Sequence, residues 1–499
     1  VVIRSVNDSR GNPTIEVEGI AGGQVINAKV PSGASTGERE AVELRDGTGK
    51  SRKDKGVTKA VANAQGELIP LLDDIDFQAD DVLERIDREM IKLDGTEYKS
   101  RLGANGILGI SLAVAKAAAI AQGISLEKFF NNEMARRGIK VGYSTPVPML
   151  NFLNGGAHAD NRLKFQEFMI RPLKFNSIEE ALEASQKVFD KLGDILLERG
   201  LIDGKTNAYR KAFGNEKGYA PRDITRNEEA LDILAQAIKA AGYELGEDID
   251  IALDVASSEF FNKSADYPNK YEVEEGRFLN PSEMVAYLAY LKDKYKIGSI
   301  EDGMAENDWD GWELLTQELG KTTQLVGDDL FVTNPRIFQE GIARRIGNAI
   351  LIKVNQIGTL TETLDVIAAA KRAGYATIIS HRSGETEDTT ISYLAVGTDS
   401  RQIKTGGLAR WKGDPERGVP TGMERWVKYV SLKEIAARLR TVLDEGEIYA
   451  ANFADGFGPR AFTDAATLSK VDIVQRVLDA ISDETGSRTS SLRHLPLLR

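Results

Sequence analysis

Residues 346–362 read IGNAILIKVNQIGTLTE, and the fold is organised around this stretch. Its central run, bounded by Gly347 and Gly358, is apolar at both alternating sets of positions, which predicts a strand of a buried parallel sheet. One lysine, Lys353, interrupts the run. A lysine held among isoleucine and leucine side chains loses hydration, so we expect a lowered pKa and a role as a general base near neutral pH. On this strand alone, a lysine at a strand end reaching into solvent is the simpler interpretation. The neighbouring strands favour the base.

From residue 147 onward the chain alternates strand and helix patterns, and several strand candidates end in a polar residue. The spacing between these residues accommodates a helix and two loops, which predicts parallel pairing. Repeated βα units with polar residues at the carboxyl ends of the strands are how a (β/α)8 barrel builds an active site. The strand ends are Asp254, Glu301, Asp328, Lys353, His381 and Lys404.

The two ends of the chain have different patterns. Short strands followed by helices predict a separate α+β domain over residues 1–135, with a mobile loop, PSGASTGE, at 31–38. We place the barrel at residues 140–445 and predict a Gly/Pro-rich loop at 411–426, before a helix in SLKEIAARLRTVLDE. Residues 446–499 are a divergent extension that we expect to be partly disordered.

Three carboxylates are predicted to meet at the mouth of the barrel: Asp254, Glu301 and Asp328. Taken singly, each is more typical of a helix cap or a turn. Converging carboxylates repel one another unless a cation neutralises them, and oxygen ligands in a chain without cysteine favour Mg²⁺. The three acidic residues together therefore predict a magnesium site.

Composition excludes several classes of function. The chain has 499 residues, 41% hydrophobic and 28% charged, with a net charge of −12 and no cysteine. That charge argues against a general nucleic-acid or anionic-membrane surface. The amino-terminal residues lack a basic segment followed by an apolar one, so we expect no signal peptide, and the absence of thiols fits a cytoplasmic location.

Longer motifs show a resemblance: the sequence is similar to the enolase family over roughly residues 1–410. The matching stretches are DSRGNPT (8–14), PSGASTGERE (31–40), GANGILGISLAVAKA (103–117), NGGAHADN (154–161), QEFMI (166–170), LDVASSEF (253–260), SIEDG (299–303), QLVGDDLFVTN (324–334), LIKVNQIGTLTETL (351–364), SHRSGETEDTTI (380–391) and QIKTG (402–406). Motifs of this length in this order are far more specific than any short pattern. The resemblance implies an enolase-type modified (β/α)8 barrel behind an amino-terminal α+β domain.

The resemblance also implies an activity, the reversible dehydration of 2-phosphoglycerate to phosphoenolpyruvate in glycolysis, by a cytoplasmic homodimer. It implies that Lys353 removes the C2 proton and that Glu216, with Glu167 beside it, protonates the departing hydroxyl. Two Mg²⁺ ions are implied: the first on the three carboxylates, the second held by Ser35 with substrate oxygens. The residues implied to hold the phosphorylated substrate are His158, Gln166, His381, Arg382, Ser383 and Lys404.

One motif departs from the family. Where the family reads GDEGG around the acid, residues 214–218 read GNEKG. A cation at Lys217 would favour the ionised form of Glu216, and a positive φ at that position would strain a lysine. This departure keeps an alternative open, a catalytically impaired relative acting as a binding or structural protein. Another lyase or racemase of the same superfamily fits less well, because PSGASTG and SHRSGETED belong to the branch with phosphorylated substrates.

Overall fold

The computed structural model describes residues 1–34, 37–47, 54–202, 213–409 and 423–442. The proposed metal ligand Ser35 lies outside the described residues, as does the extension 446–499. The predicted loops at 31–38 and 411–426 lie partly outside them.

The amino-terminal part is a three-stranded antiparallel sheet covered by helices. Its strands are β1 (Val2–Asn7), β2 (Pro13–Ala21) and β3 (Gln24–Lys29), in that order across the sheet. The helices that follow are α1 (Thr58–Asn63), which continues as a π-helix at Ala64–Leu68 and a 3₁₀ turn at Ile69–Leu72, then α2 (Val82–Asp94), α3 (Ala104–Ala121) and α4 (Leu126–Arg136). The predicted order of strands and then helices is therefore found.

Helix α3 is the central element of this part. Among the described residues it is the one helix long and apolar enough to cross a membrane, but 83% of it is buried inside the protein. Gly109 brings it against the sheet, where an added Cβ would meet Val17 at 3.0 Å and Val30 at 3.4 Å. Close packing on a sheet is typical of a core helix of a folded domain.

Eight strands close into a barrel in the order β10-β11-β12-β13-β4-β5-β6-β9. The strands of the barrel are β4 (Val147–Asn154), β5 (Glu167–Pro172), β6 (Ile249–Asp254), β9 (Ile297–Glu301), β10 (Gln324–Gly327), β11 (Ala349–Ile352), β12 (Ala376–Ser380) and β13 (Gln402–Lys404), and β7 (Tyr271–Glu274) and β8 (Arg277–Leu279) form a separate hairpin. The helices around them are α5 (Ile178–Glu198), α6 (Asn227–Ala240), α7 (Pro281–Tyr295), α8 (Trp309–Leu319), α9 (Pro335–Arg344), α10 (Val354–Ile357), α11 (Leu360–Ala373), α12 (Thr390–Gly397) and α13 (Met423–Val442).

Parallel pairing is confirmed for the six strands identified by their polar ends. Strand β5 is different, since it runs antiparallel to both β4 and β6. The segment between β4 and β5 contains one 3₁₀ turn, Gly156–His158, and no crossover helix. Because parallel neighbours need such a crossover, β5 has to return in the opposite direction. This is the modification of the (β/α)8 barrel.

The stretch 346–362 is only partly a strand. Strand β11 ends at Ile352, and the one-turn helix α10 begins at Val354, so the predicted strand is too long. At this point the amide of Lys353 donates to Thr333 Oγ (3.0 Å) instead of to a neighbouring strand. Gly358, with φ of +90°, ends the turn, and α11 follows. The shorter strand places Lys353 at the mouth of the barrel.

The barrel interior is filled by side chains, which confines the chemistry to one end. A buried cluster contains Met149, Met169, Ala252, Val326, Ala349, Leu351 and Ile378. Such packed layers are typical of (β/α)8 barrels, whose active sites lie at the carboxyl ends of the strands. Helix α13 begins at Met423, so the last residues of the predicted loop 411–426, including Trp426, are helical.

Candidate active site

The three predicted metal ligands lie together at the carboxyl ends of adjacent strands. Asp254 and Glu301 are register partners on β6 and β9, and Asp328 directly follows β10. The ammonium of Lys404 lies 2.9 Å from Asp254 Oδ2 and 2.8 Å from Glu301 Oε1, and that of Lys353 lies 2.5 Å from Asp328 Oδ2. Two lysines thus balance three buried carboxylates.

Most of the predicted site residues share one narrow cavity at this end of the barrel. Glu301 and Asp328 adjoin it through their ion pairs with Lys404 and Lys353. Those that line the cavity are His158, Gln166, Glu167, Glu216, Asp254, Lys353, His381, Arg382, Ser383 and Lys404.

The cluster formed by Asp254, Glu301 and Asp328 suits a hard divalent cation. Burial raises the pKa of Glu301 well above its usual value, and repulsion from Asp254 and Asp328 adds to this effect. A divalent ion would remove that repulsion, and oxygen-only ligands suit Mg²⁺. The chemistry of these donors is therefore compatible with a divalent cation, and Mg²⁺ stays a prediction.

The predicted lowering of the pKa of Lys353 is wrong for this arrangement. Burial acts to lower it, as expected, but the carboxylate of Asp328 outweighs burial, and the pKa is raised. The sequence places Lys353 in a dry site correctly. It does not reveal the carboxylate 2.5 Å away on the next strand.

Glu216 and Glu167 form a tightly coupled pair near two histidines. His381 Nε2 lies 2.9 Å from Glu216 Oε2, and His158 Nδ1 lies 3.3 Å from Glu167 Oε1. Burial raises the pKa of Glu167 well above its usual value, and the charge of Glu216 raises it further. Burial acts on Glu216 in the same sense, but His381, His158 and the hydrogen bond with Glu167 outweigh it and hold its pKa well below the usual value.

Of the two carboxyls, Glu167 is therefore the one with the raised pKa, whereas the sequence predicts a raised pKa for Glu216. His381 is neutral, because burial lowers its pKa to about 3. A neutral imidazole can still donate one hydrogen bond to a carboxylate. The two buried carboxyls are therefore the candidate proton carriers of the cavity.

Family comparison agrees with this geometry. Residues 1–130 match the family model described as "Enolase, N-terminal domain", and residues 142–413 match that described as "Enolase, C-terminal TIM barrel domain". The chain belongs to the enolase family. An enolase-type function, that of a lyase-type enzyme whose family uses metal ions, follows from this membership.

The departure from the family motif has a different effect from the one predicted. Lys217 does adopt a left-handed backbone, with φ of +69°. Its ammonium, however, lies 3.4 Å from Glu424 Oε1 on α13, and both side chains are 7% exposed. The low pKa of Glu216 comes from the histidines and Glu167, so the cause assigned from the sequence is wrong.

The amino-terminal domain contributes two residues that the sequence interpretation missed. Glu40 accepts two hydrogen bonds from the guanidinium of Arg382, at 2.8 and 3.2 Å, and Arg10 donates to Ser383 Oγ at 3.3 Å. Both lie in stretches that resemble enolases, 8–14 and 31–40, which was the available signal. In this arrangement Glu40 is bound to the guanidinium of Arg382, the group that the resemblance assigns to phosphate binding.

Two further acidic residues adjoin the metal ligands and were also missed. Asp302 accepts the backbone N–H of Asp328 at 3.0 Å and that of Asp329 at 2.8 Å. Carboxylate oxygens of these three residues lie within 4.8 Å of one another. The sequence signal was the doubled acids of SIEDG and VGDDL. Asp302 fixes the backbone from which Asp328 projects.

Proposed function

We propose that the protein catalyses the reversible dehydration of 2-phosphoglycerate to phosphoenolpyruvate. The observation that supports this most directly is one cavity that brings together a buried lysine, the paired carboxyls of Glu216 and Glu167, and Arg382 with Ser383. Removal of a C2 proton needs a base, and departure of hydroxide needs an acid. Arg382 and Ser383 suit a phosphate, because guanidinium and hydroxyl groups donate to its oxygens.

In this proposal Lys353 removes the C2 proton. It can do so only when Asp328 no longer holds its ammonium in the charged form. Mg²⁺ bound at Asp254, Glu301 and Asp328 would offset the negative charge that develops on the substrate carboxylate. Lys404, which lies between Asp254 and Glu301, is then available to donate to substrate oxygens.

Glu216 and Glu167 supply the proton that leaves with the hydroxyl group. The raised pKa of Glu167 favours a proton on that carboxyl, and His381 orients the carboxyl of Glu216. Transfer within the pair would present the acid on Glu216. General acid catalysis of this kind is worth about 10²–10⁴-fold in rate.

The test is turnover of 2-phosphoglycerate with Mg²⁺, followed at the absorption band of phosphoenolpyruvate. We expect turnover in the wild type and its loss in Lys353→Ala, together with loss of C2 proton exchange with solvent. Lys371→Ala is the matched control, since Lys371 donates to Asp399 O (2.8 Å) away from the cavity. Exchange that persists in Lys353→Ala would contradict the assignment of the base.

A second candidate function, an impaired relative acting as a binding or structural protein, is favoured by the left-handed backbone of Lys217, φ of +69°, in the loop that carries Glu216. Substrate binding that depends on Mg²⁺ without turnover would select it. We further propose a cytoplasmic homodimer, from family resemblance alone. Light scattering over a range of protein concentrations checks the oligomeric state.

A further inference from the structure

Helix α13 carries a buried arginine that contacts both loops of the candidate active site. Arg425 is 0% exposed. Its Nη1 lies 2.6 Å from His381 Nδ1 and 2.6 Å from Arg382 O, and its Nη2 lies 2.7 Å from Ser383 O and 3.3 Å from Asn215 O. One guanidinium thus joins the loop after β12 to the loop that carries Glu216.

The contact with His381 determines which ring nitrogen carries hydrogen. A guanidinium has five N–H donors and no acceptor, and it stays charged. Arg425 Nη1 therefore donates, and Nδ1 of His381 has to accept with its lone pair. A neutral imidazole then has its hydrogen on Nε2. That N–H points at Glu216 Oε2, 2.9 Å away.

The opposite tautomer would disrupt both contacts. Hydrogen on Nδ1 would face the N–H of Arg425, and the lone pair of Nε2 would face a carboxylate oxygen of Glu216. That carboxylate would lose the hydrogen bond from His381. His381 would then no longer hold the carboxyl of Glu216 in position.

We propose that Arg425 is a positioning residue for the acid of the reaction: it fixes the Nε2–H tautomer of His381 and so orients the carboxyl of Glu216 beside Glu167. This inference rests on the proposed function for its catalytic consequence, but the tautomer itself needs no substrate.

Neighbouring contacts also join α13 to the loop that carries Glu216. Glu424, adjacent to Arg425, pairs with Lys217, and Gly407 donates its N–H to Glu216 O at 2.7 Å. Tyr429, one turn further along α13, donates to Gly406 O at 2.8 Å. The side chain and the backbone of Glu216 are therefore both tied, through one or two contacts, to α13.

The direct test is the tautomer of His381, read from the nitrogen chemical shifts of ¹⁵N-histidine-labelled protein. The chain has 3 histidines, so the spectrum is simple, and a His381→Asn variant assigns the signal. We expect hydrogen on Nε2 and none on Nδ1 in the wild type. In Arg425→Met the Nδ1–H form should become populated. A wild-type signal with hydrogen on Nδ1, or on both nitrogens, would overturn the proposal.

The matched control is Lys428→Met. Lys428 is an equally buried cation on α13, and it pairs with Glu385 at 2.8 Å. Its loss should leave the His381 signal unchanged. Arg425→Lys keeps the charge and serves if Arg425→Met fails to fold; a partial return of the wild-type tautomer is expected.

Kinetic measurements distinguish a positioning role of Arg425 from a purely structural role. In Arg425→Met we expect kcat for dehydration of 2-phosphoglycerate to fall by about 10²-fold, within the range for general acid catalysis. Exchange of the C2 proton should fall much less. If the tautomer is unchanged in Arg425→Met and both rates fall in parallel, Arg425 only connects the two loops, and the proposal is wrong. A wild type with the expected tautomer but without turnover would contradict the proposed function and leave the tautomer assignment standing.

Discussion

Each cation of the cavity has an acidic partner within ion-pair distance. Arg382 pairs with Glu40, Lys353 pairs with Asp328, and Lys404 pairs with both Asp254 and Glu301. Buried charges of this kind have to be paired. Anionic groups of a substrate would replace the acidic partners of these cations, and a divalent cation would replace the lysines beside the carboxylates. Binding would therefore exchange existing ion pairs and would not desolvate unpaired charges.

Asp328→Asn should weaken Mg²⁺ binding and activity together. The change removes one of three charged ligands and also the carboxylate that holds Lys353, while Gln356, which donates to Asp328 Oδ1 at 2.8 Å, can still contact the new side chain. Raising the Mg²⁺ concentration should restore part of kcat/KM. Titration of activity against Mg²⁺ is the measurement. An unchanged Mg²⁺ dependence would show that the carboxylate cluster is structural.

The left-handed backbone of Lys217 allows a second test at a single residue. At φ of +69° a glycine avoids the backbone strain of a side chain, so Lys217→Gly should be more stable than Lys217→Ala by about 1 kcal/mol. Both leave Glu424 buried without its ammonium partner, and adding Glu424→Gln should recover stability in each. The coupling in the resulting double-mutant cycle should be about 0.5–3 kcal/mol, measured by chemical unfolding. Equal stability of the Gly and Ala variants would argue against strain.

The limits of prediction at single residues follow from partners distant in sequence. The burial of Lys353 could be predicted from its strand, but the direction of its pKa shift depends on Asp328, and that of Glu216 depends on two histidines and Glu167. Ser35 is outside the described residues and stays a prediction. Sequence patterns predict the burial of a side chain more readily than the charged partners that it contacts in the fold.

At the scale of elements, polar residues at strand ends placed six strands of the barrel correctly. Strand β5 lacks that signature, and β11 is shorter than its apolar run because α10 begins at once. In α13, buried positions Tyr429, Leu432 and Ala436 extend back at helical spacing to Arg425. This extrapolated stripe was the available signal for a buried arginine.

Gly407→Ala should displace the loop carrying Glu216. A Cβ at this position would run into the carbonyl oxygens of Lys217 and Asn151, well inside contact distance. A displacement of about 1 Å costs on the order of 10²-fold in rate, so kcat with 2-phosphoglycerate should fall accordingly. Gly66→Ala is the control, because an added Cβ there meets nothing within 4 Å. Full kcat in Gly407→Ala would show that the loop tolerates movement.

At the scale of the whole molecule, the site needs both parts of the chain. The barrel supplies the metal ligands, Lys353 and the carboxyl pair, while the amino-terminal part supplies Glu40 and Arg10. The two parts also meet away from the cavity, where α2 and α3 contact α11. Lys99 pairs with Glu362 at 2.9 Å, and Ser111 Oγ accepts the N–H of Leu360 at 2.9 Å. This polar contact holds the amino-terminal part against α11.

Asp87 on α2 should make that contact sensitive to pH. Its side chain is 0% exposed, and Oδ2 accepts the N–H of Thr361 at 2.9 Å. Burial raises its pKa to about 7, and the neighbouring Glu362 contributes in the same direction. Between about pH 4 and pH 7 the folded state therefore holds a proton that the unfolded state has released. For an acid with a raised pKa, this linkage lowers the free energy of unfolding as pH rises through that window, with no further loss above it.

Asp87→Asn is the test, because the amide stays neutral and keeps an oxygen for the N–H of Thr361. Relative to the wild type, the variant should gain stability as pH rises from about 4 to about 7, by at most about 1.4 kcal/mol per pH unit, and the difference should then level off. Denaturant unfolding at a series of pH values measures it. Since Glu362 and Lys99 remain in both proteins, their contributions largely cancel in the difference. A stability difference independent of pH would mean that Asp87 is already ionised in the fold and that its buried charge is balanced at the contact between the two parts.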